Sequence, residues 1–238
     1  PPRRRKERDK RVVADYRAIL REHWGYPDFR GIQREIIESI GAGKDTLGLM
    51  PTGGGKSITF QVPALAMEGV CLVITPLISL MKDQVDHLRR RGIRAAAIHA
   101  GMQRSDIVQT LENAVFGGVK LLYISPERLG SELFLAKLRH MRVSFVTVDE
   151  AHCISQWGQD FRPSYLRIKE FVETLPKRPV IGAFTATATA HVRDDIRSHL
   201  DLHDPYEVIT SFDRPNLYFG TRRALPSEKP RVLLDLVL

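Results

Sequence analysis

Thr46-Leu47-Gly48-Leu49-Met50-Pro51-Thr52-Gly53-Gly54-Gly55-Lys56-Ser57 decides how the rest of the chain is read. The first five residues form a short apolar run bounded by turn residues, which suits a buried strand, and the stretch from Ser57 onward has helical periodicity. Between them, three successive glycines let the backbone turn tightly and aim several N–H groups inward at a helix N-terminus. A polyphosphate can be held there by main-chain donors. Strand, glycine-rich loop and helix in that order imply an α/β fold with a phosphate loop at the carboxyl end of a strand.

The polar residues of the loop suit the same ligand. Lys56 supplies a mobile positive charge for the β and γ phosphates, and Ser57 places its hydroxyl on a magnesium ion that bridges them. Thr52, Gly53, Gly54 and Gly55 complete the cradle; the first loop position, ordinarily Gly, is Met50. Far downstream, the β-branched run from Val143 to Val148 reads as a central parallel strand buried on both faces. It delivers Asp149-Glu150-Ala151-His152 at its carboxyl end, where such sheets bind ligands. Asp149 is the second magnesium holder, usually through water, and Glu150 orients or deprotonates an attacking water. An isolated Asp-Glu pair is ordinarily a solvated turn; the upstream loop makes the two segments an ATP site with ATP and Mg2+ as expected cofactors.

Composition sets the frame around that site. At 238 residues and 43% hydrophobic content the chain can bury a sizeable core, as one α/β domain or one domain plus a fragment. Its formal charge is +8, of which the first eleven residues, with seven Lys/Arg against two Asp/Glu, contribute +5. That basic tail, 1–11, is expected to be a mobile, solvated terminus, and the high pI is not by itself a sign of nucleic-acid binding. The two cysteines, Cys71 and Cys153, lack metal-ligand spacing and indicate neither a disulfide framework nor a zinc site, so a reducing compartment is expected. No apolar run approaches membrane-spanning length and no secretory signal is visible, so no membrane partner is expected.

Helical periodicity over 12–24 and 32–40 is followed by strand-like and helix-like runs in alternation, the signature of a mostly parallel sheet flanked by helices. Strands are predicted at 46–50, 70–75, 95–99, 120–125, 143–148, 180–184 and 207–209. Helices are predicted at 57–66, 77–90, 105–116, 131–139, 165–173 and 190–200. A polar stretch through Glu228 reads as a linker, and 231–238 starts a new apolar helix that stops uncapped on leucine. The chain also begins without Met, so the natural polypeptide is expected to be longer than this piece.

Besides the phosphate loop and Asp-Glu-Ala-His, the chain carries Thr75-Pro76-Leu77-Ile78-Ser79-Leu80, Ser125-Pro126-Glu127-Arg128-Leu129 and Thr185-Ala186-Thr187-Ala188-Thr189, in that order. With the stretch from Cys153 to Tyr165, this ordered set resembles the RecQ family of DNA helicases, within the second large helicase superfamily, over residues 24–217. The resemblance implies a RecA-like first motor domain over 12–217, with 218–238 as linker and start of a second RecA-like domain of the same polypeptide. Single-stranded and partially duplex DNA are the implied partners, and the implied activity is ATP-dependent, 3′ to 5′ unwinding in repair and recombination. A cytoplasmic, nucleoid-associated location is implied for a bacterial protein and a nuclear one for a eukaryotic protein. Since the family supplies an arginine finger from the second domain, this piece alone is expected not to unwind DNA. An RNA-directed helicase or remodeller and a non-enzymatic nucleic-acid-binding module remain the alternatives.

The same resemblance assigns further roles. The segment from Trp24 to Gln33 is similar to the family's adenine-recognition segment, in which Tyr26 and Arg30 sandwich the base and Gln33 hydrogen-bonds its edge. Gly31-Ile32 stands where the family has Pro-Gly. The segment from Ile154 to Pro163 resembles the aromatic-rich loop that couples DNA contact to hydrolysis; Trp157 and Phe161 offer faces for unstacked bases, and Arg162 a phosphate or cation–π contact. Gln159 replaces the family's usual His. His152, Thr185 and Thr187 are assigned to coupling, with His152 counted beside Lys56, Asp149 and Glu150 as a catalytic candidate. Thr75, Ser125 and Arg128 are candidate DNA-backbone contacts, and Arg214 faces either DNA or the second domain.

Overall fold

The computed structural model describes residues 14–51, 53–210, 217–218 and 220–237. Thr52, Arg214 and the basic tail 1–11, all named above, lie outside the described residues.

Seven strands form one parallel sheet: β1 (Thr46–Leu49), β2 (Val70–Ile74), β3 (Ala95–Ile98), β4 (Leu121–Ile124), β5 (Val143–Val148), β6 (Val180–Thr185) and β7 (Tyr206–Ile209). Their order is β3-β4-β2-β5-β6-β1-β7, and each predicted strand forms within one residue of its expected limits. The α-helices are α1 (Tyr16–Trp24), α2 (Gln33–Gly41), α3 (Lys56–Ala66), α4 (Ile78–Arg90), α5 (Arg104–Val115), α6 (Glu132–Leu138), α7 (Arg167–Glu173), α8 (Ala190–His199) and α9 (Lys229–Val237).

The sheet is covered on both faces, and β2 shows how. Val70, Leu72 and Ile74 enter one core with Leu111 of α5, Phe134 of α6, Phe171 of α7 and Ile196 of α8. Cys71 and Val73 enter the other, with Ile36 of α2, Phe60 of α3 and Val85 of α4. Alternate side chains of a strand point to opposite faces, so an unbroken apolar run is what a doubly covered strand requires. Asp45, just ahead of β1, accepts hydrogen bonds from the Ile181 and His203 amides and pairs with Arg178 at 2.7 Å, tying the starts of β1 and β6 and the approach to β7.

Three predicted helices shift at their ends. The first begins at Tyr16, because the Asp15 side chain caps it by accepting the Ala18 amide. The helix expected over 165–173 divides into a 3-10 turn, Pro163–Leu166, and α7. The last starts earlier, at Lys229, with Pro230 in its first turn, where a missing N–H costs nothing. No helix among the described residues is long and apolar enough to cross a membrane.

Candidate nucleotide and nucleic-acid site

The phosphate loop and the segments beginning at Thr75, Ser125, Asp149 and Thr185 lie at the carboxyl ends of β1, β2, β4, β5 and β6. The loop after β1 carries Gly53, Gly54 and Gly55 into α3, with Gly53 and Gly55 at φ +83° and +74°, a region that disfavours any side chain. Lys56 opens α3, and its Nζ lies 2.8 Å from Asp149 Oδ1 and 2.9 Å from Glu150 Oε1. The strand order places β6 between β1 and β5, so the turn after Thr185 stands between the phosphate loop and the two carboxylates.

Electrostatically, this is a triad of one ammonium and two carboxylates, with Asp149 buried and Lys56 and Glu150 half-buried. Burial works against the Lys56 charge, but Asp149 and Glu150 outweigh it and hold the ammonium above its usual pKa. For Asp149, only 8% exposed, burial dominates and raises the carboxyl, while Lys56 pulls the other way. With all three ionised, the cluster carries a net negative charge, which favours a cation beside Asp149. Among the described residues no group of three or more His, Cys, Asp or Glu could hold a metal alone, so the donor set suits an ion that takes its remaining ligands from phosphate and water.

The backbone at Glu150 is left-handed, φ 49° and ψ 45°, where non-glycine residues are uncommon. Two bonds hold the turn: the Glu150 amide donates to Asp149 Oδ1 at 3.0 Å, and the buried Tyr165 hydroxyl donates to the Asp149 carbonyl at 2.9 Å. Burial pushes the Tyr165 phenol well above its ordinary range and keeps it a neutral donor. No local sequence signal marks this contact, since Tyr165 is distant from Asp149 along the chain and lies in what reads as the start of a helix.

His152 Nδ1 lies 2.8 Å from Thr185 Oγ1 and 3.4 Å from Glu150 Oε2. The Thr185 hydroxyl donates to the Thr187 carbonyl and accepts the Thr187 amide. Its one proton being used, it is an acceptor toward His152, which assigns the imidazole proton to Nδ1. Glu150, His152, Thr185 and Thr187 are thus one connected network.

A cavity of about 320 Å3 opens beside the phosphate loop, lined by Tyr26, Arg30, Gln33 and the three glycines among others. Gln33 Nε2 donates to the Gly54 and Gly55 carbonyls, and its Oε1 accepts the Arg30 amide at 2.9 Å. Gly31, at φ +49°, makes the turn in place of the Pro-Gly pair. The Arg30 guanidinium lies 5.4 Å from the Tyr26 ring centroid, within cation–π range, a spacing that leaves no room for a base between the two side chains unless they part.

On the other side of β5, Asp149 donates its amide to the Ile74 carbonyl, which brings the β2 and β4 ends to the same edge. Ile74 and Ile124 are register partners, so Thr75 and Ser125 stand side by side just beyond them. Both hydroxyls are buried and have no hydrogen-bond partner among the described residues. Arg128, half-buried, follows in the 3-10 turn Pro126–Arg128. In the aromatic-rich loop Trp157 is 77% exposed and Phe161 half-buried, and Arg162 is engaged by Asp160 through Nε and Nη2. Trp157 and Gln159 share a groove of about 290 Å3 with Thr187, Thr189 and Val192.

A parallel sheet with a glycine-rich loop at one strand end and paired acids at another defines the class: a RecA-like nucleotide-binding domain. The chain belongs to the DEAD/DEAH box helicase family, whose profile matches residues 30–196. It is 46% identical over 201 residues to the ATP-dependent DNA helicase RecQ of Pasteurella multocida, covering 84% of this chain and 32% of that protein. It is 49% identical over 203 residues to the RecQ of Bacillus subtilis, covering 85% and 34%. The chain therefore spans about a third of the length of these relatives. A hypothetical ATP-dependent RNA helicase from Sulfolobus tokodaii shares the fold, with a TM-score of 0.62 at 23% identity, covering 81% of this chain and 56% of that one.

Proposed function

We propose that this chain is the first motor domain of a RecQ-like, ATP-dependent DNA helicase, with ATP as its substrate and DNA as its track. The carrying observation is Lys56 seated between Asp149 and Glu150, on a loop whose glycines leave room for phosphate. In the nucleotide-bound enzyme Lys56 exchanges its carboxylate partners for phosphate oxygens. Ser57 and Asp149 are the residues that would hold Mg2+, whose contribution is to offset charge on the phosphates. Glu150, released from Lys56, orients the attacking water and accepts its proton. Tyr26, Arg30 and Gln33 take the base, and Thr52 completes the loop.

For the track, the unpartnered Thr75 and Ser125 hydroxyls and the neighbouring Arg128 suit phosphate oxygens, while exposed Trp157, with Phe161 and Arg162 in the same loop, suits bases and the backbone. The network from Glu150 through His152 to Thr185 and Thr187 is the route by which track and hydrolysis communicate, and Arg214 serves the junction with a second RecA-like domain. Similarity to RecQ enzymes supports DNA over RNA, and the reading includes 3′ to 5′ movement and no unwinding by this chain alone.

The test is phosphate release by the full-length protein with and without single-stranded DNA or RNA, with Glu150→Gln as control. Stimulation by DNA that disappears in Glu150→Gln, with nucleotide binding retained, supports the reading. Stimulation by RNA alone, or hydrolysis indifferent to nucleic acid, overturns it. Unwinding of substrates with a 5′ tail but not a 3′ tail overturns the polarity, and unwinding by the 238-residue chain overturns the requirement for a second domain.

A further inference from the structure

Ser155 is fully buried, and its hydroxyl spans two elements that are distant in sequence. It donates to Asp195 Oδ2 on α8 at 2.6 Å and accepts the Trp157 amide at 3.1 Å. The first bond is short and charge-assisted, the stronger kind, and it lies away from solvent on the Ser155 side. The hydroxyl has one proton, so donation to Asp195 commits its lone pairs to the loop amide. The loop is also pinned from the other side: a Cβ on Gly158 would lie 2.3 Å from the His152 carbonyl, so this position packs backbone on backbone.

The other end of α8 begins at Thr189, whose side chain caps the helix by accepting the Val192 amide. Thr189 and Val192 line the groove that Trp157 shares with Thr187. Helix α8 therefore meets the Trp157 loop twice, through Asp195 beneath it and through the groove wall beside it. The turn before α8 carries Thr185, which contacts His152 next to Glu150. The Ser155 hydroxyl therefore gives the Trp157 loop a direct link to α8, the helix that follows the Thr185 turn.

We propose that Asp195 is a positioning residue. Acting through Ser155, it fastens the Trp157 loop to α8, so that contact of the loop with nucleic acid is transmitted to the Thr185–His152–Glu150 network. The inference rests on the nucleic-acid-stimulated ATPase proposed above, but its geometric half is testable without it. Asp195 touches neither the phosphate loop nor the carboxylates, so its loss leaves unstimulated hydrolysis and nucleotide affinity in place.

The experiment uses the full-length protein as wild type, Asp195→Asn, Asp195→Ala, Ser155→Ala and the double alanine variant. It reads phosphate release with and without single-stranded DNA, together with hydrogen exchange at the Trp157 amide. Each alanine variant is expected to lose about tenfold in stimulation and to exchange the Trp157 amide about tenfold faster, the scale of one bond to a charged group. The double variant is expected to be no worse than either single one, because both break the same link. Asp195→Asn, whose amide oxygen still accepts from Ser155, retains most of the stimulation. Undiminished stimulation in Asp195→Ala, or losses that multiply in the double variant, overturns the proposal. If the wild type shows no stimulation, the functional reading fails, and the exchange data then decide the latch: unchanged Trp157 protection in both alanine variants overturns it.

Discussion

Lys56→Ala separates the electrostatics of the site from its chemistry. In the wild type the ammonium sits within 2.9 Å of two carboxylates, with side-chain exposures of 17% for Lys56, 11% for Asp149 and 22% for Glu150. Truncation leaves two neighbouring carboxylates with no counter-charge. Removing one member of a buried ion pair costs on the order of 3–5 kcal/mol, and the residual exposure of Glu150 puts this case near the lower end, at about 3 kcal/mol. For a chain of this size that corresponds to a melting point lower by about 6–12 °C. The loss depends on pH with a definite sign. Asp149 already stands above its unfolded value through burial, and without Lys56 it rises further. Between the unfolded and folded values the folded state holds a proton that the unfolded state has released, so the destabilisation is absent below the unfolded carboxylate pKa and reaches its full size as pH rises through the folded one. Nucleotide-free thermal unfolding of wild type and variant between about pH 5 and pH 9 is the assay. A deficit that shrinks toward acid is expected. Equal melting points at neutral pH, or a deficit that stays constant or grows toward acid, would refute this account of the triad.

Three further outcomes are expected. Gly55→Ala forces a side chain at φ +74° with its Cβ 2.2 Å from Gln33 Nε2, so calorimetry should show nucleotide affinity reduced at least about tenfold. Tyr165→Phe leaves the Asp149 carbonyl without its donor and should lower stability in urea by about 1–3 kcal/mol, slowing hydrolysis as the Glu150 turn relaxes; a change under about 0.5 kcal/mol counts against its positioning role. Trp157→Ala, at a 77% exposed site, should leave stability within about 0.5 kcal/mol of wild type. It should still weaken single-strand binding of the full-length protein by about 1–3 kcal/mol in fluorescence anisotropy, and undiminished affinity would remove the stacking role.

The sequence by itself determined the elements and the ATP-site candidates. Strand limits were legible because a strand buried on both faces must be apolar at every position, as Val70–Ile74 is, and because glycine-rich or polar turns bound each run. Lys56, Asp149 and Glu150 were legible because the residue types at the ends of two such strands leave little choice of chemistry. The capping of α1 by Asp15 and the 3-10 turn at Pro163–Leu166 were not read, since short-range geometry shifts element ends without changing hydrophobic period.

Only the tertiary structure decided what lies beside what. The order β2-β5-β6-β1 sets Thr185 between the phosphate loop and the carboxylates, and no periodicity records the order of parallel strands in a sheet. It made Thr75 and Ser125 neighbours with unpartnered hydroxyls, brought Tyr165 to the Asp149 carbonyl, and joined Ser155 to Asp195 on α8. These are hydrogen bonds between residues far apart in the chain, made by types common on any surface. Their meaning depends on burial and distance, which arise only when the sheet is assembled and covered.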